Sequence, residues 1–101
     1  MRVVRLHPEA EEELEEASDY YDARRPPLGK ELEDEVRDAL RRIATLPRAF
    51  PPHGSEGARK CLLPRFPYTV YFVELHDETV WVAAVAHQKR QPDYWAGRTP
   101  E

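Results

Sequence analysis

Apolar residues recur with a helical period in the first half of the chain and with alternating or continuous runs in the second. Val3, Val4 and Leu6, set off by Arg2 and Arg5, read as a short first strand that His7-Pro8 ends. Ala10, Leu14, Ala17 and Tyr21 then recur at spacings of four, three and four, the narrow stripe of an amphipathic helix. Pro8 suits the first turn of that helix, where its missing N–H would have had no partner. Glu9, Glu11 and Glu12 crowd the end where the helix dipole favours negative charge, and Arg24 and Arg25 sit at the other. Pro26-Pro27 stops it.

A second helix is predicted from Leu28 to Leu46, with Leu32, Val36, Ala39, Leu40, Ile43 and Leu46 as its stripe. Gly29 is a mild weakness near its start, and Pro47 ends it. Two helices with facing stripes and a short proline break between them predict an antiparallel helical hairpin. Residues 47–58, with Pro47, Pro51, Pro52, Gly54 and Gly57, read as a loop.

Beyond it the period changes. Arg59 to Leu63 reads as a strand, broken by Phe66-Pro67. Thr69 to Leu75 is rich in β-branched and aromatic residues and reads as a strand. His76-Asp77-Glu78 makes a tight turn. Val80 to Ala86 is apolar on both faces, as a central strand would be. Gln88 to Trp95 is polar, and Pro92 bars a long strand. The order predicts an α+β fold: an N-terminal strand and an antiparallel helical hairpin packed on a mostly antiparallel twisted sheet. The first strand fits either a sheet edge or a slot between later strands. Residues 59 to 95, folded as adjacent ribbons, bring Arg65 and His87 to one rim.

The length of 101 residues allows one domain. No apolar run approaches the length of a membrane span, and the N-terminus lacks the apolar stretch of a signal peptide. Cys61 is the only cysteine, so an internal disulfide and a cysteine metal cage are both excluded. A reducing cytoplasm is the expected location. Net charge is −4, with 13 acids and 9 bases in residues 1–50 against 6 and 6 in the rest. The first half is therefore a poor polyanion-binding face.

The run Glu11-Glu12-Glu13 with Glu15 and Glu16 reads as the solvated face of the first helix, and Cys61 as a small core residue. No zinc, phosphate-loop or serine-hydrolase signature is present, and no metal or cofactor is expected. What remains is a polar cluster near the sheet: Arg59, Lys60 and Arg65 on or after one strand, and His87, Lys89, Arg90 and Tyr94 at the end of another. Such a groove would bind a carboxylate-rich partner through arginines, or hold an RNA phosphate while His or Tyr moves protons. Tyr20, Tyr21, Tyr68, Tyr71 and Trp81 read as packing residues, and Trp95 as a lid or plug.

The stretch Phe66-Pro67-Tyr68-Thr69-Val70-Tyr71-Phe72, followed by a hairpin and Val85-Ala86-His87-Gln88-Lys89-Arg90-Gln91-Pro92-Asp93-Tyr94-Trp95, resembles the RelE/ParE toxin superfamily. His7-Pro8-Glu9-Ala10, Tyr20-Tyr21, the proline break with Leu28-Gly29, and Leu46-Pro47 resemble its ParE-like, plasmid-stabilisation branch. The resemblance implies the fold described above and a toxin of a type II toxin–antitoxin module, neutralised by a cognate antitoxin whose extended or helical segment wraps it. ParE-like members poison DNA gyrase by binding; RelE-like members cut mRNA in the ribosomal A site. For cleavage, the matching positions are Arg65, His87, Arg90 and Tyr94. For antitoxin or target binding they are Arg59, Lys60, Arg65, Lys89 and Trp95. The acid-rich first half and the hairpin favour a non-enzymatic gyrase binder; the cluster from His87 to Tyr94 favours a ribosome-dependent endoribonuclease. A third possibility is an inactive member that only binds antitoxin.

Overall fold

The computed structural model describes residues 1–100. Strand β1 (Val4–Leu6) leads into helix α1 (Pro8–Arg24), followed by helix α2 (Leu28–Thr45). After a single 3-10 turn come strands β2 (Pro52–His53), β3 (Ala58–Leu62), β4 (Tyr68–Glu74) and β5 (Val80–His87). The five strands form one sheet in the order β1-β5-β4-β3-β2. Pairing is antiparallel throughout except between β1 and β5, which run parallel.

The first strand thus takes the edge beside the last. β1 cannot extend past Leu6 because the chain turns at once into α1: the His7 N–H closes on Val82 O, and His7 Nδ1 accepts from the Glu9 N–H at 3.0 Å. This caps α1 ahead of Pro8. The other edge holds a feature absent from the sequence reading. Pro52 and His53, inside the expected loop, pair with Arg59 and Ala58 as a two-residue strand. Proline is tolerated there because the strand lies at the sheet edge.

Both helices lie on one face. Ala10 and Ala17 of α1, and Leu32, Val36, Ala39 and Ile43 of α2, bury against Cys61, Val70, Phe72, Val80, Val82 and Val85. Small residues on the α1 stripe let that helix sit close to β5. The opposite face is paved with Ala58, Ala83, Ala84 and Ala86 and covered by Trp95. A register break on β5, where Tyr71 pairs with Ala84 and Phe72 with Val82, leaves Ala83 as the extra residue.

Candidate functional site

A cleft of about 380 Å³ opens between α1, the start of β4 and the end of β5. It is lined by Tyr20, Tyr21, Tyr68 and Tyr94, by His87 and Arg90, and by Glu13 and Glu16. The pairing of Tyr68 with His87 fixes one wall, and their rings meet edge to face at 5.1 Å. Tyr21 turns its ring against Phe66 at 5.1 Å and Tyr20 at 5.2 Å, tying the cleft to the core.

Glu13 organises the floor. Beyond Leu6 the edge of β5 has no strand beside it, and the Val85 N–H donates instead to Glu13 Oε1 at 3.0 Å. The same carboxylate accepts from the Tyr94 hydroxyl at 2.5 Å and the Arg98 guanidinium at 3.0 Å. Arg98 also reaches the Ala83 carbonyl and Glu9, so one part-buried ion pair joins α1, β5 and the C-terminal segment. Glu13 therefore departs from the solvated face expected for the acidic run. A signal was available: it lies three residues after Ala10 and four before Ala17, in phase with the apolar stripe. Arg98, Glu16, Tyr20, Tyr21 and Tyr68 were likewise not singled out as site residues.

Three phenols of the cleft, those of Tyr21, Tyr68 and Tyr94, are held in their neutral form. Burial raises the pKa of Tyr21 and Tyr68, and burial followed by the Glu13 carboxylate raises that of Tyr94 further. The Lys89 N–H donates to His87 Nδ1 at 3.0 Å, which assigns the proton of a neutral ring to Nε2. The Arg90 guanidinium lies over the Tyr94 ring at 3.8 Å from its centroid.

Because Tyr94 holds its proton more tightly folded than unfolded, its contribution is complete below the unfolded tyrosine pKa of about 10 and is lost as pH rises above that. We expect Tyr94→Phe to cost about 1 kcal/mol near neutrality, a low figure because the ring is only half-buried, and to flatten the loss of stability in alkali. Urea unfolding near neutrality and above about pH 10 measures both.

The other sequence candidates do not join this cleft. Arg65 shares the sheet end with His87, since it precedes Tyr68 in the β3–β4 turn. Its guanidinium instead donates to Glu35 at 2.9 Å and Glu31 at 3.1 Å on α2, and it is not a lining residue. The expected common pocket for Arg65 and His87 is thus corrected: they share a rim but not a cavity. Arg59 and Lys60, grouped in one basic patch by sequence, fall on opposite faces because successive strand residues alternate. Arg59 turns to the helix side and donates to Phe50 O at 2.8 Å. Lys89 stays exposed. Trp95 stacks on Tyr71 at 4.6 Å and is 8% exposed, a plug over the alanine face with little surface for a partner.

The model of the ParE toxin of the type II toxin–antitoxin system parDE matches residues 4–92. The chain belongs to the ParE toxin family. Two solved structures share its fold. A chain of the chromosomal ParDE system from P. aeruginosa superposes with a TM-score of 0.62 at 16% identity, covering 86% of this chain and 96% of that one. The isolated E. coli RelE toxin superposes with a TM-score of 0.67 at 18% identity, covering 93% and 92%. No curated protein sequence matches. Membership makes this a type II toxin and implies a cognate antitoxin partner. Among the described residues, no helix is long and apolar enough to cross a membrane.

Proposed function

We propose that this ParE-family toxin arrests growth by binding DNA gyrase in the cytoplasm, without catalysis, through the tyrosine-lined cleft. The observation that carries this reading is the mutual commitment of the charges around the site. Arg65 is held by Glu31 and Glu35, and Arg98 by Glu9 and Glu13, while Arg90 lies on Tyr94. Neutral phenols and half-buried rings, with few free cations, suit docking of a protein surface. They suit less well the stabilisation of a phosphoryl transition state, which needs convergent unpaired cations.

A second reading rests on a specific juxtaposition. His87, Arg90 and Tyr94, the positions matching RelE-like cleavage residues, line one cleft. Two measurements separate the readings. Supercoiling by purified gyrase should fall when the protein is added, and Arg90→Glu should weaken that inhibition by about tenfold, as expected for a charge reversed within a docking surface. Codon-phased cuts in translated messages, with supercoiling unaffected, would establish the nuclease and remove the gyrase reading.

A further inference from the structure

We propose that a second groove, at the C-terminal end of α2, is a docking site for the cognate antitoxin. It takes a bulky apolar side chain from a partner segment that carries carboxylates beside it. The inference rests on the ParE family membership, and it holds whichever target the toxin has.

The groove encloses about 380 Å³ and is lined by Arg41, Arg42, Thr45, Leu46, Ala49 and Phe50. It shares no lining residue with the tyrosine cleft. Its floor is firm, because the Phe50 ring packs edge to face on the core residue Phe72 at 5.7 Å. Its lip is Leu46, which follows the last turn of α2 and is 64% exposed although it continues the helix's apolar stripe. Exposure of so large an aliphatic side chain beside an apolar hollow costs hydration free energy that a partner would recover.

The charge around the groove defines the partner. Arg41 and Arg42 share one carboxylate, Asp38, at 3.6 and 3.4 Å. Nearby, Arg48 and Arg2 share Glu74. Four guanidinium groups thus face two carboxylates, a positive surface on a chain of net charge −4. Arginines in a last helical turn complement the helix dipole, but that role does not need an exposed leucine between them. An apolar anchor flanked by acids fits both features, with bidentate pairing available to the guanidinium forks.

Titration calorimetry with the purified cognate antitoxin tests this. We expect Leu46→Glu to weaken binding by roughly 30-fold and Arg41→Glu by about tenfold. Lys30→Glu, the same charge change at the start of α2, should leave affinity within about twofold. Affinity of the unmodified protein should fall as salt rises. Arg41 is 60% exposed on its side chain, so its replacement and the salt series stand even if Leu46→Glu fails to fold. Unchanged affinity in both groove variants overturns the proposal. Retained antitoxin affinity with lost growth arrest also overturns it, by giving the groove to the target. A wild-type protein that leaves gyrase untouched yet loses antitoxin in the groove variants sinks the gyrase reading alone.

Discussion

Replacing Glu13 by alanine is expected to cost about 2–3 kcal/mol, because it leaves the part-buried Arg98 guanidinium without its partner. The side chains of Glu13 and Arg98 are only 12% and 13% exposed, so water cannot readily take over. Two neutral donors, the Val85 N–H and the Tyr94 hydroxyl, lose their acceptor at the same time. In a domain of this size such a loss lowers Tm by roughly 15 °C. Glu13→Gln keeps an acceptor for Val85 but not the charge, and should fall between the two. Pairing Glu13→Ala with Arg98→Met should recover part of the loss, since the double variant no longer strands a cation. Thermal unfolding of the four proteins checks the series. A Glu13→Ala protein within about 1 kcal/mol of wild type would show that the carboxylate is solvated after all.

Gly29→Ala carries the second large effect, and its sign opposes helix propensity. Within a helix, alanine is favoured over glycine by about 1 kcal/mol. Here a Cβ at Gly29 would lie 2.4 Å from the backbone oxygen of Ser18 and 2.6 Å from Asp22 Cγ. Backbone oxygen cannot rotate away, so α1 and α2 must part. The Gly29 N–H also donates to Asp22 Oδ1 at 2.7 Å, a bond that such a separation strains. We expect a loss of about 3 kcal/mol, at the upper end of overpacking costs. The midpoint of denaturant unfolding reads it directly, and a more stable variant would mean that the helix approach is not fixed.

Both effects arise at residues whose sequence reading was bland. Gly29 registered as a weakness in α2 and proves to be a point of close approach between the two helices. Glu13 was one carboxylate among many, and its distinction was its phase on the stripe. The elements themselves were legible, because proline breaks, charge at the helix ends and the change from helical to extended periodicity are local signals. The helices and the three long strands lie within a residue or so of their expected bounds. Pro52–His53 escaped because a two-residue edge strand owes its existence to its partner β3, not to its own propensity.

The site was legible only in part, and the reason is the same. His87, Arg90 and Tyr94 lie close in sequence and stayed together in the cleft. Arg65, Arg59 and Lys60 also lie close in sequence, but strand alternation and the acids of α2 dispersed them. By itself the sequence determined the order and kind of the elements and the family resemblance, all of which depend on spacing along the chain. Only the tertiary structure decided where β1 pairs, which charges neutralise one another and which aromatic rings meet. Those outcomes depend on contacts between residues far apart in the chain, such as Glu13 and Arg98, 85 positions apart, and no local pattern encodes such a contact.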